Sequence, residues 1–442
     1  MAAALVVAVA IGVAIGRALP RDDPSSAPRD SSSLPSDVAS APSGTSPRGD
    51  TVALSRTDPA NGPMTTGLPS STSVDGVPPP PPSEDGDGGV TKRGVWESVT
   101  PEGMPLSGGS CDSYGTQTVG LDPRRPSDLY TLAHCSGIWR SVDHGRTWTG
   151  PINTGTNGAE AGDCAGGVAV AAGSDGAPPI LYQGCIRGLG VGFWRSVDGG
   201  VNWTRHTVAP APEGRQDFAT PVVDPYDSNH LIMTGHEFNL VVETTDGGEH
   251  WSEVRMDPGM NQEIGTAHLW FVDTGDPTTT RTTWLYMAQG SDGGIGTWRT
   301  SDGGSWTQVE TFEGPHGHSQ SFQPDDSGVL YLGGVFGSEG AGVYRSEDHG
   351  ATWSRVGEET YESLAFGTPN RVYSAYSWAC GDCDIEANFQ SAEHPGLDDW
   401  SSIEQPDAMG MGPAQTATTF DGSNYVIVSA NWRNGLWRYV EP

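Results

Sequence analysis

Ser141-Val142-Asp143-His144-Gly145-Arg146-Thr147-Trp148 recurs at Ser196–Trp203, at Thr244–Trp251, at Ser346–Trp353 and, one residue shorter, at Thr300–Trp306. A unit written five times constrains the architecture before any single residue is interpreted, because such repeats stack supersecondary units on a shared core. Each copy follows a short apolar run, such as Gly137-Ile138-Trp139-Arg140 or Gly192-Phe193-Trp194-Arg195. The unit reads strand, tight turn, strand. The aspartate accepts backbone N–H bonds inside the turn, the glycines supply positive φ, and the tryptophan brings a large ring to bury.

The anchor tryptophans Trp148, Trp203, Trp251, Trp306 and Trp353 are separated by 55, 48, 55 and 47 residues. That spacing suits four short strands with their loops. Trp400 follows 47 residues after Trp353 and marks a sixth unit, whose turn has decayed to Ser391-Ala392-Glu393-His394-Pro395-Gly396. Three strand-like runs come after it, Thr416–Phe420, Tyr425–Ser429 and Leu436–Val440. Their missing fourth partner is Gly94–Val99, 52 residues before Trp148 when measured from Trp96. Pairing Trp96 with the strand of Trp437 removes two exposed sheet edges. The expected fold is all-β, a seven-bladed β-propeller over residues 91–442 whose last blade is closed by the N-terminal strand.

The repeat resembles the Asp-box (BNR) motif S-x-D-x-G-x-T-W of the sialidase-like and glycoside-hydrolase-like propellers, over about residues 94–442. The resemblance implies that the boxes sit on the outer hairpins, away from the ligand face. It does not select an activity, since the superfamily contains hydrolases, lyases, sorting receptors and assembly factors.

Residues 1–16 are apolar and uncharged, with Arg17 and Arg21 after them. The stretch 1–20 reads as a signal peptide or an uncleaved signal anchor, too short for an ordinary span. Residues 21–90 are rich in Ser, Pro, Asp and Gly and include the run Pro78–Pro82. Such a segment cannot bury enough apolar surface to fold and reads as a disordered stalk. The expectation is an extracytoplasmic protein, secreted or membrane-anchored.

Against 55 acidic residues stand 23 Lys and Arg, a net charge of −32. This excludes nucleic acid and anionic membrane as partners of the propeller and weighs against long polyanionic glycans unless a groove is locally basic. A monomer without cofactor is expected.

Six cysteines in an exported chain suggest disulfides. Cys111 and Cys135 flank the first two strands of blade one, and Cys164 and Cys185 hold the same two places in blade two, so each pair is expected to close within its blade. Cys380 and Cys383 are expected to form a local bridge; no second Cys or His pair at zinc spacing accompanies them, so no metal is expected.

In a propeller, the turns leading into the inner strands and the loops after the second strands converge around a central funnel. That placement selects His134, Arg187, Asp217, His236, Glu237 and His268 as candidate catalytic residues, with Tyr114, Asp163, Asp292, His318, Trp432 and Arg433 as candidate substrate contacts. Carboxylates, imidazoles and guanidinium groups brought together in this way suit acid–base chemistry on a glycan. The three arginines and the Phe-Arg-Ile-Pro motif of sialidases are not matched. An inverting glycosidase would need two carboxylates about 6.5–9.5 Å apart. A polysaccharide lyase would use His or Tyr with an Arg on the uronate. The expected function is an exported carbohydrate-active propeller of hydrolase or lyase type, acting on a polysaccharide or glycoconjugate. The alternative is a non-catalytic binding propeller similar to sortilin-type receptors or assembly factors.

Overall fold

The computed structural model describes residues 92–107, 114–260, 267–288, 296–310, 320–337, 340–358, 363–376, 389–410 and 412–442. The N-terminal segments 1–20 and 21–90 lie outside the described residues, as do Cys111, Asp292, His318, Cys380 and Cys383. Among the described residues no helix is long and apolar enough to cross a membrane.

Seven antiparallel sheets follow one another along the chain. Blade two shows the pattern: Ala165–Ala171, Ile180–Arg187, Gly192–Ser196 and Thr204–His206, each strand pairing with the next. Blade three repeats it with Val222–Asp224, Asp227–Thr234, Val241–Thr244 and Ser252–Val254. Blade seven takes Gln415–Phe420, Tyr425–Ala430 and Leu436–Val440 from the C-terminal region and Trp96–Ser98 from the other end. The register sets Trp96 against Tyr439 and Ser98 against Trp437.

Blade one departs from the four-strand expectation. It has three strands, Gly120–Leu121, Leu129–Ala133 and Gly137–Ser141, and its outer strand is reduced to a single Arg140–Thr149 bridge. Pro151 follows two residues later and has no N–H to extend the ladder.

The core lies between the blades. Tyr130, Leu132 and Ile138 of blade one pack on Val168, Leu181 and Trp194 of blade two. Tyr182 and Phe193 of blade two pack on Leu231, Val242 and Trp251 of blade three. The same holds at each later seam. Val426, Val428 and Leu436 of blade seven meet Leu129, Ala133 and Trp139 of blade one, which closes the ring.

The repeated turn is one hydrogen-bonded device. Asp143 Oδ1 accepts from Ser141 Oγ (2.8 Å) and Thr147 N (2.9 Å), and Asp143 Oδ2 accepts from Thr147 Oγ1 (2.6 Å). Ser141 Oγ in turn accepts from Gly145 N at 2.9 Å. Asp198, Asp246 and Asp348 repeat this set with Asn202, His250 and Thr352. The indole N–H closes the corner on the glycine carbonyl in three copies, Trp148 on Gly145, Trp203 on Gly200 and Trp353 on Gly350. In the shortened copy the deletion moves Trp306 off its own turn, and it donates to Arg255 of blade three instead (3.0 Å).

Register fixes where the loops go. Leu129 opposes Ser141 and Ala133 opposes Gly137; Leu231 opposes Thr244 and Thr234 opposes Val241. The repeated turns therefore occupy one end of the sheets, and the loops after the second strands occupy the other.

Candidate functional site

At that loop end a left-handed residue follows the last hairpin-paired residue of the second strand, two places on in blades one and seven, Cys135 (φ 56°) and Trp432 (φ 52°), and three places on in blade three, Glu237 (φ 57°). In blade two the equivalent is Gly188, with φ 92°. A non-glycine residue in this region costs roughly 1 kcal/mol or more, and such strain gathers at functional sites. The turn makes His134, Arg187, His236 and Asn431 structural equivalents, each just before the left-handed residue. His134 N donates to Gly115 O (2.9 Å), and His236 N donates to Asp217 O (3.0 Å), so the loop also fixes the turn leading into its inner strand.

One group forms on blade three. The Arg215 guanidinium grips Asp217 through Nε to Oδ1 (3.0 Å) and Nη2 to Oδ2 (3.1 Å), and Nη2 also donates to His236 O (2.6 Å). His236 Nδ1 lies 3.4 Å from Asp217 Oδ2, and its Nε2 lies 3.8 Å from Glu237 Oε1. The imidazole thus stands between two carboxylates. Asp217 is 20 % exposed and Glu237 54 % exposed, so the first is held and the second reaches solvent. Arg215 rests 4.6 Å above the Phe238 ring, which keeps the fork in place. Beside this loop, Asn239, Glu253, Arg255, Met256, Asp257 and Pro258 line a groove of about 450 Å³.

A second group joins blades one, two and seven. Arg187 Nη1 donates to Tyr114 Oη at 2.7 Å, with its guanidinium carbon 5.6 Å from the ring centroid. The guanidinium of Arg433 lies 6.0 Å from the same ring. Thr116 and Trp432 exchange backbone hydrogen bonds of 3.1 and 2.8 Å, and Gly115 (φ 82°) passes so close that a Cβ would fall 2.2 Å from Trp432 O. Only glycine fits there.

Two of the candidates lie deeper than a place at the funnel mouth implies. His134 is fully buried, not open at the mouth: its ring meets Tyr114 edge-on at 6.2 Å, and its Nε2 lies 3.1 Å from Gly166 O. Burial pushes its pKa down to about 4, so it is neutral near pH 7. Trp432 is 2 % exposed and serves the seam between blades seven and one. Both are enclosed by protein. His268 opens the inner strand of blade four, where its ring stacks on Trp270 (centroids 5.4 Å apart, 10° between planes). Asp163 caps a short helix, Gly158–Gly162, and its carbonyl accepts from Gly190 N (2.9 Å) in the loop of Arg187.

Arg215 and Phe238 were not singled out in the sequence. The available signal for Arg215 was an arginine two residues before an aspartate in the turn leading into an inner strand. Gln320 was also missed; it exchanges 3.1 Å hydrogen bonds with Thr416, tying blade five to blade seven past blade six.

Cys164 and Cys185 are bonded, with Cα atoms 5.5 Å apart, and Cys135 is also disulfide-bonded. Among the described residues no group of three or more His, Cys, Asp or Glu could hold a metal ion.

No protein-family model matches the chain. A xyloglucanase from a Paenibacillus species is 25 % identical over 336 residues, which is 62 % of this chain and 31 % of that protein. The crystal structure of an ancestral GH74 enzyme is 16 % identical with a TM-score of 0.53, covering 75 % of this chain and 48 % of that one. YCF48 from Cyanidioschyzon merolae is 14 % identical with a TM-score of 0.48, covering 78 % of this chain and 98 % of that one. The chain therefore spans less than half the length of the xyloglucanase and the GH74 enzyme, and what it has in common with the solved structure is the propeller fold.

Proposed function

We propose that this chain is an exported carbohydrate-active propeller of the Asp-box kind, hydrolysing glycosidic bonds of an extracellular polysaccharide at the loop end of the ring. The observation that carries the reading is the Arg215–Asp217–His236–Glu237 group, two carboxylates flanking one imidazole at a strained loop. Hydrolysis needs one carboxylate to take a proton from water and another to give a proton to the leaving oxygen. Asp217, locked in the Arg215 fork, suits the base. Glu237, on a projecting left-handed residue, suits the acid. His236 positions both. The similarity to a named xyloglucanase supports hydrolysis over elimination, and the disulfide supports an oxidising compartment.

The test is to incubate the protein with a panel of plant and microbial polysaccharides and measure reducing ends together with unsaturated uronate. Reducing ends without unsaturation, abolished in Asp217→Asn, support the reading. Unsaturated product would make it a lyase. No product from any polysaccharide would leave a binding propeller.

A further inference from the structure

Lys92 is the only lysine in the chain, and it stands directly before Arg93. One other pair of adjacent basic residues occurs in the sequence, Arg124-Arg125. The two pairs have opposite surroundings. Arg124 and Arg125 sit in a hydrogen-bonded turn: both amides donate to Asp122, and Arg125 O accepts from Asp128 N at 2.7 Å. Their guanidinium groups pair with Asp175 (2.6 Å) and Asp122 (2.9 Å). Pro126 follows and fixes the backbone beyond the pair.

Lys92 and Arg93 are both exposed and lie just outside the strand Trp96–Ser98. Lys92 Nζ is 3.8 Å from Glu97 Oε1, a solvent-open pair of the kind that holds a side chain only weakly. Among the described residues Arg93 has no ion pair or side-chain hydrogen bond. Contact with the sheet begins one residue later, where Gly94 N donates to Val440 O (2.8 Å) and a Cβ on Gly94 would lie 3.6 Å from Pro442 Cγ. Trp96 is then buried and paired with Tyr439. Five blades carry the repeated turn between their third and fourth strands; blade seven has residues 440–442 and 92–95 in that place, so the junction opens at the turn end, away from Asp217 and His236. Proteolysis selects exposed backbone with few hydrogen bonds, and an acidic specificity pocket selects a basic side chain.

We propose that Lys92-Arg93 is a cleavage site for a protease specific for paired basic residues, which frees the ring, residues 94–442, from the segment before it. The proposal goes beyond the glycan reading and does not rest on it. Hydrolysis breaks the Arg93–Gly94 peptide bond: the hydroxyl of water joins the Arg93 carbonyl carbon, which leaves as a carboxylate, and the Gly94 nitrogen takes up the protons as an ammonium. Water is the only co-reactant. The new ammonium keeps Val440 O as its acceptor, now in a charge-assisted hydrogen bond. Trp96 stays packed on Phe389 (4.8 Å) and Tyr439 (5.0 Å), so blade seven keeps its fourth strand.

The experiment treats the full chain with a limiting amount of a subtilisin-like endoprotease specific for Lys-Arg and follows the products by intact mass. A synthetic peptide of residues 86–98 is the reference. A site open in the native chain should be cut within about tenfold of the peptide's rate, whereas one held in the fold is slowed about a thousandfold or more by its opening equilibrium. One ring product is expected, beginning at Gly94, with none beginning at Pro126. Lys92→Gln should slow the cut at least about thirtyfold, because the protease pocket loses its charged partner. Circular dichroism and the unfolding midpoint of the product should match those of the uncut chain's ring.

A cut slower than the peptide's by about a thousandfold or more, a first cut inside the ring, or a product with a lower unfolding midpoint overturns the site. So does a rate that Lys92→Gln leaves unchanged, since the basic pair would then have no part in recognition. Polysaccharide turnover enters none of these readouts, so the cleavage site and the hydrolase stand or fall separately.

Discussion

His230 Nδ1 lies 2.7 Å from Asp224 Oδ2, inside blade three, while its other nitrogen lies 2.9 Å from Glu243 Oε1. The ring is fully buried and packed edge-on against Phe271 of the next blade (5.0 Å). Burial opposes its charge, but hydrogen bonds to the two carboxylates outweigh it and raise the pKa above 6.5. A raised folded-state pKa contributes stability that is complete below the unfolded value and is lost as pH rises through the folded one. The unfolding midpoint of the parent should therefore fall as pH rises from about 6 towards alkaline values. His230→Gln should be less stable by about 3 kcal/mol at pH 5, with the gap narrowing as pH rises. Thermal unfolding of both proteins across pH measures it.

Asp217→Asn and Glu237→Gln should each lower kcat by about 10²- to 10⁴-fold on whichever polysaccharide is cleaved. Their unfolding midpoints should stay near the parent's, because Glu237 reaches solvent and Asn at position 217 keeps the shape of Asp217 and an oxygen that can accept from Arg215. Initial rates and calorimetry on the same samples decide it. A large stability loss matching the activity loss would make the group structural.

The repeated turns should behave in the opposite way. Asp198→Ala removes an acceptor for Val201 N, Asn202 N and the Asn202 amide, and should cost about 1–3 kcal/mol while sparing turnover. Acid should act on the same turns. Partial burial disfavours charge on Asp246, but donors from His250 and Thr244 prevail and hold its pKa at about 2. The N–H and hydroxyl groups of Ser305, with Gly304 N, depress Asp302 likewise. Depressed carboxylates contribute stability above their unfolded pKa and lose it as pH falls through the folded value. The midpoint should drop between about pH 4 and pH 2, less steeply in Asp246→Asn.

Replacing Cys164 and Cys185 by Ala opens a link between residues 21 positions apart and should cost about 3 kcal/mol. Denaturant titration of the double variant against the parent measures it.

Gly115→Ala should be more disruptive than its size suggests. The added methyl meets the Trp432 carbonyl, so the blade one–blade seven seam must shift. Both a lower midpoint and weaker ligand binding are expected, because Tyr114 and Arg433 flank that contact.

How much of this was legible follows from what repeats. Ser141 to Trp148 and its copies carry their own hydrogen bonds within eight residues, so local chemistry announces five of the seven blades, and the spacing of the tryptophans supplies the other two. The match of Cys164 and Cys185 to the strand ends of blade two was readable for the same reason. Site geometry was not, because it depends on contacts between residues far apart in the chain. Nothing in the sequence around His134 says that Tyr114 will cover it, and the pairing of Tyr114 with Arg187 spans 73 positions. Blade one's missing strand was readable in principle from Pro151, but the Thr147-Trp148-Thr149 pattern masked it.

The Trp96–Ser98 strand finds its place only beside residues 437–439, and Thr100 meets Leu436 across 336 positions of chain. A chain emerging N-terminus first can complete blades two to six in order, since their partners arrive within one unit. Blade seven has to wait. Until Val440 has left the ribosome, Trp96 has no sheet to join and the last seam has only one wall, so this blade is the last of the seven to close. Premature release or pausing before that point would leave six stacked blades with two raw apolar faces, the state most prone to associate with another copy.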